Sequence, residues 1–199
     1  MSIARVAPDR IWTAEAFLET DQHEFGDAWR YELVDGRVVA HAAPAPDHGA
    51  ILSALSGALA TRMRGRPGGC RPESDSGAVP LFRQHKTARI PDAMIRCGEH
   101  PRVLFEVVSP SELRHWRNCD KRRHDLQDVE GVKDIVELYQ FEIACHVYRR
   151  RDDGAWLFEA LDGGDAILRL ESVGLEIPLA EIYEFVTLEP PEEGASGFV

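Results

Sequence analysis

The chain predicts an α/β (α+β) fold, with helices flanking one mixed β-sheet core. Two observations carry this. Elements run in the order hairpin, helix, strands, helix, strands, which suits a layered sandwich. Residues 102 to 108, "RVLFEVV", are apolar apart from Arg102 and Glu106, as in a central strand covered on both faces.

Each element follows from local pattern. Residues 13 to 20 read as a short helix. In "WRYELVDGRVVAH", Trp29, Tyr31 and Leu33 alternate with Arg30 and Glu32, and Asp35-Gly36 marks a hairpin turn. In "PAPDHGAILSALSGALATRMRG", Ile51, Leu55, Leu59 and Met63 form one helical stripe, with Asp47 as a plausible N-cap and Gly65 as a stop. Residues 77 to 83, 88 to 95 and 102 to 108 read as strands. A helix over 112 to 128 would bury Leu113, Trp116, Cys119 and Leu126. Four strand-like runs follow, "DIVELYQ", "ACHVYRR", "AWLFEAL" and "AILRL", then a last helix, "PLAEIYEFV". We expect a single domain over 1–188 and a loose Pro- and Glu-rich tail over 189–199.

Bulk composition sets bounds. The chain has 199 residues and a net charge of −11, which argues against a non-specific nucleic-acid coat. Local basic runs such as "RHWRNCDKRR" can still draw a phosphate. No apolar run is long enough to span a bilayer. The N-terminus lacks an apolar signal core, so a cytoplasmic location is expected. Cys70, Cys97, Cys119 and Cys145 form no Cys-x-x-Cys pair and read as free thiols rather than a zinc site or disulfide framework.

The chemistry concentrates in "ARIPDAMIRCGEHPRVLFEVVSPSE". Asp92 and Glu106 lie in neighbouring strand-like segments about 4.8 Å apart. Two carboxylates on one face repel unless something positive sits between them. A divalent cation held by hard oxygens, magnesium or manganese, would do this. Lys121, one helix further on, could bring an ammonium to such a pair. Metal and lysine together suit phosphodiester hydrolysis. By spacing alone, a buried ion pair is the simpler account of the same residues.

These motifs resemble those of the Uma2 family of endonucleases, with the PD-(D/E)xK restriction-endonuclease-like fold. "YELVDGRVVAHAAPAPDH", "IPDAMI", "LFEVVSPS", "DKRRHDLQDVEGVKDIVELYQ" and "LRLESVGLEIPLAEIYEFV" carry the resemblance from Tyr31 to about Val186. It implies Asp92, Glu106 and the backbone carbonyl of Val107 as Mg²⁺ (or Mn²⁺) ligands. Glu32 would join the metal shell directly or through water. The usual lysine two residues after the Glu is Val108 here, and Lys121 on the next helix would replace it. His48 matches a histidine near the first long helix. Four residues before Lys121, where members often carry Asp, stands Arg117. Glu32 and His48 also have plainer readings, as a solvent-facing strand residue and a capping-region histidine. The resemblance implies DNA as substrate and a homodimer. A non-catalytic or regulatory protein on the same scaffold, or a hydrolase of another phosphate ester such as RNA or a nucleotide, are the alternatives.

Overall fold

The computed structural model describes residues 10–74, 79–80, 85–114 and 116–188. The expected tail over 189–199, His115 and most of the strand expected over 77–83 lie outside them.

A mixed sheet flanked by helices forms the core, as expected. Thr13 caps α1 (Ala14–Glu19) by accepting the Ala16 amide, and Phe17 anchors it. β1 (Arg30–Val34) and β2 (Arg37–His41) pair through Asp35-Gly36, both at positive φ (50° and 79°) as a tight hairpin turn needs. At Gly36 any side chain would meet Ile11 at 2.8 Å. α2 (Pro46–Met63) buries Ile51, Leu55, Leu59 and Met63. It starts before Asp47, with Ala45 as N-cap. Proline at the first helical position loses no needed N–H, so Pro46 and not Asp47 sets the start.

The remaining strands are β3 (Cys70–Ser74), β4 (Val79–Pro80), β5 (Ala88–Arg89), β6 (Ala93–Cys97), β7 (His100–Val108), β8 (Asp134–Tyr139), β9 (Ala144–Arg150), β10 (Trp156–Asp162), β11 (Ile167–Leu170) and β12 (Leu175–Pro178). The main sheet has the order β10-β9-β8-β7-β6-β3, with β7 and β8 parallel and the other neighbours antiparallel. A second sheet has the order β2-β1-β5-β4, and β11 pairs with β12. β7 is covered on both faces. Phe105 and Val107 pack in the cluster that holds α2, and Leu104 packs with Met94, Ile135 and Leu126 on the other side.

Several expectations are corrected. The strand read over 88–95 is two strands in different sheets, because the chain crosses between them at Ile90-Pro91-Asp92. Pro91 has no N–H to give a ladder. The helix read over 112–128 is α3 (Pro110–Leu113) followed by α4 (Trp116–Gln127). Ser109 and Glu112 form a reciprocal capping box on α3. Leu126 is buried but Leu113 is exposed. The last helix shrinks to α5 (Leu179–Ile182), and Phe185 beyond it is exposed. β3 has no counterpart among the expected strands, and it holds Pro72, which an edge strand tolerates. Cys70 and Cys97 are register partners on β3 and β6 and form a disulfide, while Cys119 and Cys145 stay free. Cross-strand register, invisible in the spacing, brought that pair together.

Candidate functional site

The sheet crossing at Pro91 places Asp92 at the seam between the two sheets. Asp92 donates its amide to the Phe105 carbonyl (3.1 Å), and its Oδ2 accepts the Val107 N–H at 2.8 Å. Its Oδ1 lies 3.0 Å from Arg30 Nη2 and 3.5 Å from His48 Nε2. Burial opposes ionisation here. The His48 contact, the Arg30 charge and the Val107 amide outweigh it and hold the carboxyl down at about 2.

Glu106 lies one residue from Val107, on the α4 side of β7. Arg122 reaches it from α4 with Nε to Oε2 at 2.8 Å and Nη2 to Oε1 at 3.0 Å. The same guanidinium gives Nη1 to both Glu32 oxygens at 2.8 Å and Nη2 to the Ile90 carbonyl at 2.8 Å. Glu32 is fully buried, not solvent-facing. It also accepts the Ile90 amide at 2.8 Å and Arg89 Nη1 at 3.1 Å, and His41 Nε2 lies 3.1 Å away. Burial would raise Glu32, but Arg122, His41 and Arg89 hold it well below the usual carboxylate range. Burial pushes Glu106 up to about 8. Arg122 resists, but it is shared with Glu32, and the charges of Asp92 and Glu32 add to the rise.

The two acids are therefore driven apart, a pattern common at functional sites. It also fixes a pH dependence. A carboxyl with a raised folded pKa loses stability as pH climbs from its unfolded value, here 4.5, to its folded one, here about 8. Asp92 has the opposite sign. Its contribution is present above 3.8 and lost as pH falls toward about 2. Glu106→Gln should thus gain stability relative to wild type between about pH 5 and about pH 8, read by urea denaturation at each pH. A flat difference over that interval contradicts the assignment.

Lys121 stands elsewhere. Its Nζ lies 3.3 Å from Asp35 and 3.4 Å from Asp125, with the side chain 41% exposed. It lines, with Glu106, Arg122 and Glu137, a cleft of about 450 Å³. Its ammonium shares the cleft with Glu106 but is bonded away from both acids. Arg117 is on the exposed surface of α4.

Arg122, Arg89 and Glu137 were not singled out by sequence reasoning. The signal for Arg122 was present. Leu126 is the buried anchor of α4, and the position four residues earlier shares its face. That position is Arg122, while Lys121 is turned about 100° away. Glu137 is the register partner of Glu106 on β8 and is bonded by Arg123 at 3.3 Å.

The carboxylates of Asp92, Glu106 and Glu32 offer hard oxygens, which suit magnesium or manganese. Among the described residues no three acid, His or Cys side chains converge as a ready metal cluster. Arg122 lies between Glu106 and Glu32 and supplies the positive charge that this acid cluster demands. The donor atoms match a hard cation in kind, while Arg122 is bonded to two of the three acids.

Among solved structures, the chain is similar to one titled "Crystal structure of a putative nuclease belonging to DUF820 from Anabaena variabilis ATCC 29413". The TM-score is 0.67 at 17% identity, over 86% of this chain and 97% of that one. At that identity the likeness shows a shared fold. No protein of curated function matches the chain. The Uma2 family model, described as "Putative restriction endonuclease", matches residues 14–180. The chain belongs to the Uma2 family.

Proposed function

We propose that this chain is a metal-dependent endonuclease that hydrolyses DNA phosphodiesters. The observation that carries the reading is the junction of Asp92 and Glu106. Both are buried, they act on each other electrostatically, and the Val107 amide links one to the strand of the other. In this reading Asp92, Glu106 and the Val107 carbonyl hold Mg²⁺ or Mn²⁺, and Glu32 supports the shell. A bound Mg²⁺ or Mn²⁺ would supply Lewis acidity toward a phosphoryl oxygen and a lowered water pKa.

The protein's own groups have separate tasks. His48 and Arg30 keep Asp92 ionised and fix its orientation. Lys121 lines the cleft beside Glu106, where its charge attracts a phosphate and partly offsets the acidity of the chain. Arg122 must leave the acids for a cation to enter, and its freed guanidinium would then suit the phosphate. A homodimer would gather the local basic runs around the substrate. No described helix is long and apolar enough to cross a membrane. We propose a cytoplasmic location, where the Cys70–Cys97 bond would be open to reduction because cytosolic thiols are usually held reduced.

One observation favours a second reading, a non-catalytic or regulatory protein. Arg122 is already bonded to both Glu32 and Glu106, two of the acids that a cation would need. Incubation with single- and double-stranded DNA and RNA at low salt, with Mg²⁺ or Mn²⁺, separates the readings. Cleavage of DNA supports the first. Cleavage of RNA alone, or of no substrate, overturns it.

A further inference from the structure

A second cavity, of about 430 Å³, opens on the other side of Asp92. Trp29, His41, His48, Asp92, Ser109 and Gln140 line it. It lies between the first hairpin, the start of α2 and the end of β7. It shares His41 and Glu112 with the cleft that holds Glu106 and Lys121, so the two hollows flank the acids. Its volume is within the range of small-molecule sites, about 300–1,000 Å³.

Two features of its wall ask for a ligand. Trp29 stands 57% exposed just before β1, although Tyr31 and Leu33 of the same alternation are buried. An indole face at a cavity mouth is a stacking surface. Opposite in character, Gln140 has a buried side-chain oxygen with no hydrogen-bond partner. Such an acceptor costs stability unless something donates to it. Three groups of the wall already have counterparts. Arg30 and His48 rest on Asp92, and His41 rests on Glu32. Glu112, bonded to Ser109, adds a further carboxylate to the wall, so the cavity disfavours an added anion and suits a neutral, flat ligand with a donor edge.

We infer that this cavity is a nucleobase subsite, in which Trp29 stacks on a base and Gln140 accepts from its exocyclic amino group. Adenine and cytosine carry such a group at N6 and N4. Resting on the nuclease reading, the inference makes the substrate an unpaired or splayed strand whose base enters beside Asp92 while its phosphate lies toward the cleft lined by Lys121 and Arg122. Trp29 and Gln140 are then specificity-determining residues.

The test uses the full chain in metal-free buffer with EDTA, titrated with adenosine and cytidine 5′-monophosphate and with ribose 5-phosphate, by calorimetry. Both nucleotides should bind, and ribose 5-phosphate at least about tenfold more weakly. Trp29→Ala should weaken the nucleotides about tenfold, and Trp29→Phe should restore most of the loss. Trp29 is exposed, so neither change threatens the fold. Gln140→Leu should weaken the nucleotides and leave ribose 5-phosphate unchanged. Equal binding of all three probes, no nucleotide binding, or unchanged affinity in Trp29→Ala overturns the inference. So does a change in sedimentation of Trp29→Ala with affinity intact, which would make Trp29 a contact between copies. The nuclease reading fails separately. Trp29-dependent binding without any cleavage sinks that reading alone, and cleavage without such binding sinks the subsite alone.

Discussion

Asp92→Ala and Glu106→Ala should each lower DNA cleavage by about 10²–10³-fold or more, the usual loss when one preorganised charge leaves a site. Asp92 is ionised at any working pH and fixed by its bond to the Val107 amide. Glu106 is held by two bonds from Arg122. Lys121→Ala should cost much less, about tenfold, because that side chain is 41% exposed and already engaged with Asp35 and Asp125. Initial rates on one DNA substrate with Mn²⁺, wild type against the three variants, read this directly. A Lys121 loss as large as the Asp92 loss would mean that the ammonium swings onto the acids. An Asp92 variant with normal rates would remove the site from this seam.

Arg122→Ala should destabilise the protein by about 3–5 kcal/mol in metal-free buffer near neutral pH. Its guanidinium is bound to Glu106, to Glu32 and to the Ile90 carbonyl, and Glu32 has no exposed surface. Removing it leaves an ionised Glu32 buried with Arg89 and His41 as remaining partners. Coulomb attraction in the intact cluster is offset by the desolvation of every member, so the loss comes mainly from stranding the acids. Two further observations sharpen the expectation. Mn²⁺ should restore part of the loss if the cation takes the guanidinium's place. The loss should also shrink as pH falls and the carboxyls take up protons. Urea denaturation with and without Mn²⁺ measures both. A loss below about 1 kcal/mol would mean that solvent reaches the cluster and that Arg122 is an ordinary surface ion pair.

The hairpin, α2 and β7 were legible in the sequence because each has one dominant signal. Asp-Gly dictates the turn, the Ile51-Leu55-Leu59-Met63 stripe dictates the helix, and the apolar run around Glu106 marks a covered strand. The seam at Pro91 was not legible in the same way. A window of alternating apolar residues looks like one strand whether or not its two ends belong to different sheets. The same crossing is what lifts Asp92 out of the ladder and toward Val107. The acids were readable as residue types in apolar company, but their counter-ion was not. Three consecutive cations, Lys121, Arg122 and Arg123, differ only in the direction each takes around the helix. That direction depends on Leu126 being the buried position, while Leu113, read in the same stripe, is exposed. The Cys70–Cys97 bond likewise depends on strand register, which joins cysteines 27 residues apart.

Calorimetric titration of Mn²⁺ into wild type, Asp92→Ala and Glu106→Ala tests the central claim most directly. The account predicts binding by wild type that strengthens as pH rises and Glu106 gives up its proton, with at least about tenfold weaker binding in either variant. The same affinity in all three, or no binding in any, would contradict it.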